Sequence, residues 1–468
     1  MTNALHGAVA ALAADLGGIS HDADPQRLAV ASRDYYWFSP ILAAELDGLT
    51  AELIVTPRDQ DEALKTLALC ARHRVPITAR GCGTGTFGQA VPLAGGVILD
   101  TTALDRLVWV GGAGRGAAVR AEAGMPLDRL DEELRQSGRE LRMHPSTKRG
   151  ATLGGFIAGG HAGVGSVQWG ILRDRGNILG LKLATVEETP RILEIRGNDL
   201  PTVHHAYGVN GLILEVEMPL AAALPWRDVI VTFADFMDAA RFGWALASAD
   251  GIAKKLVAPI AAPLARHFHE LTSAIGGAHA VLAMVAEEGG EALRALADEH
   301  GGRLVFDHAE GGFRDRPLYE YTWGHTTLAV KNDVPEATYL ICIFRGADPL
   351  EQVRAVHQQF GAEAPLHLEY KRINGELAVE GVPVIRYTGP EQIERLTQGF
   401  ESLGVKVANP HTYFLQNGGM HKIDAAQIAF KRAADPYGLM NPGKIAGVDE
   451  VAGAPGGAGH LRASGWAY

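Results

Sequence analysis

Two kinds of apolar pattern alternate along almost the whole chain. Short runs of consecutive apolar residues, typical of buried strands, are followed by segments whose apolar residues recur every three to four positions, as on one face of a helix. Residues 53–56 form such a run, and the helical spacing that follows opens at Pro57, Arg58 and Asp59 and continues to about His73. The alternation predicts an α/β or α+β architecture.

The first half of the chain carries further elements of both kinds. A strand over 75–79 leads directly into a glycine-rich segment at 80–88. The pattern then predicts a strand at 97–100, a hairpin over 108–120, a helix over 126–137, a glycine-dense stretch at 149–180 and a strand over 212–218. The first 18 residues predict an amphipathic helix rather than a signal peptide, because no basic segment precedes their apolar part and Asp15 lies within it.

In the second half the strand and helix patterns repeat in one order. Pro219, an alanine run and Pro225 interrupt the pattern and predict a boundary at 221–226. The order strand, helix, strand then occurs twice, at 229–233, 235–249 and 252–257 and again at 280–285, 290–300 and 303–306, which predicts a duplicated βαβ unit. Strands at 338–344, 366–371, 383–387 and 409–415, with helices near 350–360 and 390–403, predict one continuous second sheet. A last helix is expected over 422–434, before a Gly/Ala-rich, poorly ordered tail from Val451.

Composition and charge exclude several classes of protein. The 468 residues are 47% apolar and 21% charged, and 54 acidic against 43 basic residues give a net charge of −11, so a nucleic-acid partner is not expected. Cys70, Cys82 and Cys342 are too few and too scattered for a disulfide framework or a four-ligand zinc site, and they favour a reducing compartment, the cytoplasm. No apolar run is long enough to predict a transmembrane helix.

The segment 83–88 satisfies the dinucleotide fingerprint GxGxxG, but its surroundings do not predict a Rossmann fold. That fold requires a helix to begin within the loop, whereas Pro92, Gly95 and Gly96 follow and break helices. Consecutive backbone N–H groups beside Arg80 instead favour a nest that wraps a diphosphate. The alternative is a plain glycine-rich turn between two strands.

Three stretches of sequence, the first of which contains the glycine-rich loop, occur together in one family of proteins. These are the TPRDQDEALKTLALCARHRVPITARGCGTGTFGQAVPLAGGVILD segment, the AEAG of 121–124 with HPSTKRGATLGGFIAGG, and a terminal helix with ADPYGLMNPGK. In these pieces, which cover about 27–220 and 422–447, the chain resembles flavoproteins of the vanillyl-alcohol oxidase/para-cresol methylhydroxylase family, of the glycolate oxidase and D-lactate dehydrogenase type. The resemblance implies an α+β fold in which a two-subdomain FAD-binding module carries a ferredoxin-like α+β cap.

The resemblance also implies a division of the chain and a set of cofactor-binding residues. The FAD-binding domain would span 1–220, split near 105–120, the cap 221–420, the returning C-terminal helix 421–450 and a flexible tail 451–468. The implied cofactor-binding residues are Arg80, Gly81, Cys82, Gly83, Thr84, Gly85 and Thr86 around the pyrophosphate, Pro145, Thr152, Gly154, Gly155 and Ala158 along the flavin, Gly211 and Ile213 on the adenine-ribitol side, and Asn441 and Lys444 from the C-terminal segment. Many relatives attach FAD through a histidine at the position of Thr84, so noncovalent FAD is expected here.

The family's metal-binding segments are missing from this sequence. Members that use a metal carry a His-x-Gly-Asp-Gly-Asn segment and a Glu-His-Gly turn, whereas the corresponding turn here is Leu415-Gln416-Asn417-Gly418-Gly419. Amides bind divalent metals poorly and cannot act as bases, so a metal requirement is expected to be absent or weak and no metal ligands are assigned. The alternative is that His325, His367, Glu369 and His411 converge from separate strands on a metal ion.

Two polar strand faces supply candidates for the chemistry. Alternation along a strand places His367, Glu369 and Lys371 on one face, and in 409–413 it places Asn409, His411 and Tyr413 together. Either face could instead be a solvated strand side. His411 is the preferred base, since the unperturbed pKa of histidine, about 6.5, suits proton removal near neutrality, and Tyr413 and Asn409 would orient the substrate.

The aromatic segment 318–327 offers a second set of candidates. Its three aromatic residues, its acid and His325 favour a pocket for a flat or apolar substrate. The alternative is a core segment in which His325 forms an internal hydrogen bond. The second set of candidate catalytic groups is therefore Lys331, Tyr319 and His325.

These features together predict an FAD-dependent oxidoreductase. It would remove hydride from a hydroxyl-bearing carbon of a small 2-hydroxy acid or alcohol, and oxygen, a carrier protein or a quinone would reoxidise the flavin. A homodimer is compatible with this function. The alternatives are a non-catalytic flavin-binding or sensor protein and an NAD(P)H-linked reductase on the same fold.

Overall fold

The computed structural model describes residues 2–416, 423–446 and 448. Four sheets of four or more strands lie in sequence order along the chain, and each is covered by helices. Among these residues no helix has the length and apolar content to cross a membrane.

The first sheet is mostly parallel and carries the glycine-rich loop. Its strands are β1 (Ser20–Asp22), β2 (Leu53–Thr56), β3 (Ile77–Arg80) and β4 (Val97–Asp100), in the order β1-β2-β4-β3 with β1 antiparallel. Its helices are α1 (Thr2–Asp15), α2 (Pro25–Ala31), α3 (Pro40–Leu46) and α4 (Gln60–His73). Asp59 caps α4 by accepting a 2.9 Å hydrogen bond from the N–H of Glu62. Residues 81–96 contain no helix, so the Rossmann geometry is absent, as the sequence predicts.

The second sheet is antiparallel throughout. It contains β5 (Leu107–Gly111), β6 (Ala118–Glu122), β7 (Arg139–Leu141), β8 (Gly180–Ala184), β9 (Ile192–Arg196) and β10 (Leu212–Ala222), in the order β5-β6-β10-β8-β9 with β7 also on β10. The predicted hairpin at 108–120 is β5 with β6. Helices α5 (Leu127–Arg135), α6 (Leu153–Gly159) and α7 (Ser166–Trp169) accompany the sheet.

The third sheet begins within the predicted boundary. Its strands are β11 (Trp226–Phe233), β12 (Lys254–Ile260), β13 (His279–Ala286) and β14 (Arg303–Ala309), and its helices are α8 (Phe236–Ser248), α9 (Ala262–Ala265), α10 (Thr272–Ile275) and α11 (Gly290–Glu299). The antiparallel order β12-β13-β11-β14, with α8 and α11 as the two crossovers, is the ferredoxin-like arrangement. The predicted α+β fold and cap are confirmed.

The prediction that the strands at 338–344, 366–371, 383–387 and 409–415 form one continuous second sheet is wrong. The elements of this part of the chain are α12 (Gly324–Asp333), β15 (Ala337–Tyr339), β16 (Ile341–Phe344), α13 (Pro349–Phe360), β17 (Leu368–Ile373), β18 (Glu376–Gly381), β19 (Val384–Arg386), α14 (Pro390–Ser402) and β20 (Lys406–Ala408). The fourth sheet has the order β17-β18-β16-β20, whereas β15 and β19 form a separate two-stranded sheet, and Ile260 and His367 form an isolated bridge between the third sheet and this region. The run 338–344 divides at Leu340, because β15 pairs with β19 whereas β16 pairs with β18 and β20.

The predicted strand at 409–415 is also wrong. The chain leaves the sheet after Ala408, the end of β20. Asn409 Oδ1 accepts a 2.8 Å hydrogen bond from the N–H of His411, and Pro410 between them has no N–H to continue the ladder. Asn409, His411 and Tyr413 therefore do not share a strand face.

The C-terminal segment returns to the first sheet. Helix α15 (Ala425–Ala434) lies within the predicted 422–434, and Met440 then forms a parallel bridge with Ile77 beside β3. The predicted flexible tail at 451–468 and residues 417–419 of the amide turn lie outside the described residues.

Candidate functional site

A single cavity connects the glycine-rich loop to the cap. The empty space within it and at its mouth is about 1520 Å³. One side is formed by the loop after β3, the segments around α6 and residues 207–213. The other side, the cap wall, is formed by six residues: Trp323, Gly324, Tyr339, Ile341, Glu380 and Val382.

The loop after β3 is shaped by glycine and by Arg80. Gly83 has φ +67°, a conformation that glycine adopts without strain, and a Cβ there would collide with the Arg80 guanidinium. Arg80 Nη1 donates a 2.6 Å hydrogen bond to the backbone oxygen of Arg33, which ties the loop to the segment after α2. Burial lowers the pKa of Arg80, while the charges of Asp34 and Asp100 oppose this shift.

The glycine pair at the start of α6 serves packing as well as the cavity. Thr152 caps the helix by accepting a 3.3 Å hydrogen bond from the N–H of Gly155. A Cβ on Gly154 would lie 2.6 Å from the Cβ of Ala123, so glycine is required for the close approach of α6 to the chain after β6. Both glycines and Thr152 line the cavity.

Two residues of the C-terminal segment support the loop from behind. Asn441 Nδ2 donates to the backbone oxygens of Gln89 and Tyr207, at 2.8 and 2.7 Å. Lys444 Nζ donates to the backbone oxygens of Gly88 and Val91, at 2.6 and 3.0 Å. Neither side chain lines the cavity.

Lys444 also interacts electrostatically with a carboxyl that does line the cavity. Asp34 accepts hydrogen bonds from the N–H groups of Tyr36 and Ala90, at 2.9 and 3.2 Å. Burial raises the pKa of Asp34 and lowers that of Lys444, and the charge of each opposes the shift of the other. The glycine-loop side of the cavity thus contains one buried carboxyl, Asp34, whose pKa depends on Lys444 behind the lining.

The cap wall is backed by a cluster of buried charged groups on β17 and β18. Glu380 is 4% exposed and forms an ion pair with Lys371, which is 2% exposed and is not in the lining. His367 Nε2 and Glu369 Oε1 are 2.7 Å apart, and Glu369 lies directly opposite Glu380 in the β17–β18 register. Burial raises the pKa of Glu369, His367 opposes this shift and Glu380 adds to it.

Trp323 joins this cluster to the cavity. Its backbone N–H donates a 2.7 Å hydrogen bond to Glu369 Oε1, and its φ of +53° is unusual for a bulky residue. Its indole Nε1 is buried and has no hydrogen-bond partner within the described protein. A buried donor without a protein partner, on a residue that lines the cavity, is a candidate to bind a polar group of a ligand.

His161 faces the same end of the cavity. Its ring centroid lies 6.1 Å from that of Phe87, which also lines the cavity, and Tyr339 beside them places its hydroxyl 3.2 Å from Thr86 Oγ1. Burial lowers the pKa of His161; the charge of Glu380 opposes this shift and that of Lys371 adds to it. The histidine is therefore held neutral near the Glu380–Lys371 pair.

The structure brings together most of the predicted cofactor-binding residues. The lining contains Arg80, Gly81, Cys82, Gly83, Thr84, Gly85, Thr86, Pro145, Thr152, Gly154, Gly155, Ala158, Gly211 and Ile213. Asn441 and Lys444 are the two of that set that lie outside it.

The six predicted catalytic residues, His411, Tyr413, Asn409, His367, Glu369 and His325, do not line the cavity. The His411 ring lies 6.4 Å behind that of Tyr339, its Nδ1 is 2.8 Å from Ser39 Oγ, and burial lowers its pKa to about 4. Burial likewise lowers the pKa of His325 to about 4. The role of His411 as the base stays a prediction, and Tyr339 lies between its ring and the cavity.

The structure bears on two alternative interpretations: a solvated strand side for the polar faces, and a core position for the aromatic segment. The solvated alternative is wrong for His367, Glu369 and Lys371, which are all buried. In the aromatic segment, Leu318, Tyr319 and Tyr321 join the core beneath the third sheet, whereas Trp323 and Gly324 line the cavity. That segment thus contributes to both the core and the pocket.

Sequence reasoning missed several polar groups of the lining. His161 directly follows the family-like segment, so the extent of the match excluded it, and Gln89 lies within the first such segment but was not singled out. Asp34 and Glu380 are isolated polar residues whose place in the lining follows from tertiary contacts. The opposition of Glu380 and Glu369 in particular depends on the strand register, which apolar pattern alone does not specify.

The residues of this cavity fit FAD. The lining combines flexible glycine backbone, Arg80 and aromatic side chains, which suit a pyrophosphate and flat ring systems. Gln89 Nε2 is a second buried donor without a partner in the described structure, on the loop side, while Gln89 Oε1 accepts from the N–H of Phe87. Polar donors at both sides suit a ligand that extends along the whole cavity.

Comparison with known proteins agrees with this assignment. Residues 51–192 match the family model described as FAD binding domain. Glycolate oxidase subunit GlcD of Escherichia coli is 26% identical over 211 residues, which cover 43% of this chain and 42% of that protein. D-lactate dehydrogenase of Archaeoglobus fulgidus is 29% identical over 186 residues, 40% of each chain. The chain spans less than half the length of these relatives.

Solved structures extend the likeness to nearly the whole chain. An alkyldihydroxyacetonephosphate synthase has a TM-score of 0.70 at 14% identity, covering 93% of this chain and 85% of that one. This likeness concerns the fold, and it includes the cap that lies beyond the sequence match.

Proposed function

We propose that the chain is an FAD-linked oxidase or dehydrogenase acting on CH–OH groups, because residues 51–192 match the FAD binding domain and the chain is similar to a glycolate oxidase subunit and a D-lactate dehydrogenase. FAD, when bound, supplies the acceptor for a hydride. The observation that carries the proposal is the shared cavity, in which the cofactor-binding segments face a cap wall that contains Glu380 and an unpartnered indole N–H.

The chain's own residues would divide the work between the two sides of the cavity. Arg80 and the glycine loop would hold the pyrophosphate, and the segments at 145–158 and 211–213 would lie along the rest of the cofactor. On the cap wall, Ile341 and Val382 would exclude water from the reacting carbon, and polar groups beside them would orient it.

The proposal includes noncovalent attachment of FAD. Thr84 lines the cavity where many relatives carry the histidine that forms the bond. Acid precipitation of the purified yellow protein is expected to leave free FAD in the supernatant. Colour that stays with the pellet would contradict noncovalent attachment and direct the search to His411 or His421.

Anaerobic titration tests the reaction class. The purified holoprotein is mixed with hydroxy acids and alcohols in one series and with NADH or NADPH in another, and the visible absorption of its flavin is followed. Bleaching by a hydroxyl compound supports the proposal. Bleaching by a nicotinamide alone would establish the reductase, and no bleaching by either series would favour a binding or sensor protein.

Three finer points belong to the same proposal. We expect chelators to leave the rate of flavin reduction unchanged, and within the described residues no three His, Cys, Asp or Glu side chains are placed to share a metal ion. The three unpaired cysteines support a cytoplasmic location. The electron acceptor, oxygen or a carrier, and a homodimer stay predictions.

A further inference from the structure

The orientation of one buried ion pair bears on the substrate. In the Glu380–Lys371 pair, Glu380 is one of the residues that line the cavity, whereas Lys371 on the neighbouring strand is not. A wall built to bind an anionic substrate would present the cation. Here a substrate carboxylate at the cap wall would meet the negative member of the pair.

The second polar group of the cap wall has the complementary hydrogen-bonding character. Trp323 Nε1 can only donate, and it has no partner in the described protein. The Glu380 carboxylate can only accept while it is ionised. A hydroxyl group both donates and accepts, so it satisfies the two groups together. A carboxylate, which only accepts, would satisfy Trp323 and repel Glu380.

The backbone around Trp323 is built to hold this donor in place. Its N–H is bonded to Glu369, and Glu369 lies opposite Glu380 across the β17–β18 pair. The positive φ of Trp323 is retained despite its steric cost. The donor and the acceptor are thus positioned through one shared network of buried groups.

We propose, on the basis of the function proposed above, that the cap wall selects an uncharged alcohol over a 2-hydroxy carboxylate. Glu380 accepts the hydrogen bond of the reacting hydroxyl, and Trp323 Nε1 donates to its oxygen. Glu380 would take the O–H proton as the C–O bond becomes a carbonyl, and bound FAD would supply the acceptor for the hydride, so that the two electrons lost by the substrate are accounted for. A carboxylate suffices as the base, since the hydroxyl becomes strongly acidic as the hydride departs.

Matched pairs of compounds test the selectivity. Ethylene glycol and glycolate, propane-1,2-diol and D-lactate, and phenylethane-1,2-diol and mandelate differ only in whether a CH₂OH or a carboxylate adjoins the reacting carbon. We expect the anaerobic rate of flavin reduction, kcat/KM, to favour the diol at least about tenfold in the pair that fits the cavity best, which corresponds to about 1.4 kcal/mol. Faster reduction by the hydroxy acids would overturn the inference while leaving the proposed function intact.

Substitutions test the two groups. Glu380→Gln is expected to lower kcat for the diol at least about a hundredfold at unchanged flavin content. It is also expected to lower the ratio of kcat/KM for the diol to kcat/KM for the hydroxy acid. Trp323→Phe keeps the ring, removes the N–H and is expected to lower kcat/KM about tenfold. Glu376→Gln, on the same strand but exposed, is the control and should leave both constants unchanged.

The variant at 380 leaves Lys371 buried without its partner, and this could impair folding. The double variant Glu380→Gln/Lys371→Met removes both charges and keeps the test decisive. If either folded variant retains wild-type kcat and selectivity, Glu380 has neither role. If no hydroxyl compound reduces the wild-type flavin, the proposed function fails and this inference fails with it.

Discussion

Asp228 on β11 is a buried carboxyl outside the cavity, and its position predicts a pH-dependent stability. It is 2% exposed, and Oδ2 accepts a 3.0 Å hydrogen bond from the N–H of Gly311. Burial raises its pKa to about 7, and Glu310 adds to the shift. The folded protein therefore takes up a proton that the unfolded chain, with a pKa near 3.9, has already lost.

The raised pKa of Asp228 makes the folded protein less stable as the pH rises. The contribution of Asp228 to stability is greatest below about pH 4 and is lost as the pH rises through about 7, by at most about 4 kcal/mol. Asp228→Asn should flatten that part of the pH profile. Unfolding by urea at several pH values between 5 and 8 measures it, with Asp298→Asn on the exposed face of α11 as control. Parallel profiles for wild type and Asp228→Asn would contradict the predicted pKa.

Two candidate bases are distinguished by another pair of variants. His411 is buried behind Tyr339, whereas Glu380 is in the lining. We expect His411→Ala to lower the rate of flavin reduction by less than about tenfold, while Glu380→Gln lowers it at least about a hundredfold. Stopped-flow reduction with the best diol measures both. A hundredfold loss in His411→Ala at unchanged flavin content would restore the histidine as the base.

The residues of the site show which predictions a local stretch of sequence can support. Arg80 to Thr86 are contiguous, so the sequence places them in one loop, and they line the cavity together; their contact with the pyrophosphate stays a prediction. His411 was placed by strand alternation, and this failed because Asn409 and Pro410 end the strand. The position of Glu380 follows from its pairing with Glu369 on the neighbouring strand. This pairing is set by the strand register, which the apolar pattern does not specify.

At the scale of elements, the start of α8 offers a test of the ferredoxin-like cap. Asp235 Oδ1 accepts hydrogen bonds from the N–H groups of Met237 and Asp238, at 2.8 and 3.2 Å. Asp235→Ala should lower the free energy of unfolding of the cap by about 1 kcal/mol. Urea unfolding followed by circular dichroism measures the change. Asp298→Ala removes an equal charge from an exposed helical position and should change stability by less than about 0.5 kcal/mol.

The cap elements were predictable where periodicity and breakers agree. The two strand-helix-strand units of the third sheet match the sequence prediction within a few residues. The sequence did not predict that the fourth sheet is separate from the β15–β19 pair. The two divide within one apolar run, at Leu340: the strand before it, β15, pairs with β19, and the strand after it, β16, pairs with β20. Choice of partner is a tertiary property, decided by packing rather than by the run itself.

For the whole molecule, the shared cavity predicts a strong link between cofactor and stability. Its walls come from the loop after β3, the region of α6, β10 and the cap, so bound FAD would contact all of them. FAD at about 100 times its Kd should add about 2.7 kcal/mol, seen as a rise of several degrees in Tm over the apoprotein. Gly154→Val, which would displace α6 from Ala123, should abolish most of that rise. An equal Tm with and without FAD would show that the cavity is not the cofactor site.

The C-terminal return has a consequence for biosynthesis. Lys444 and Asn441 hold the backbone of residues 88–91 and 207, and Met440 adjoins β3, yet they are among the last described residues to leave the ribosome. Domains usually fold in order of emergence. Here the amino-terminal module lacks these supports throughout translation of the cap, and a chain interrupted before about residue 441 has a loop without its backing. The cofactor-binding half is thus completed last, by the part of the polypeptide synthesised after the cap.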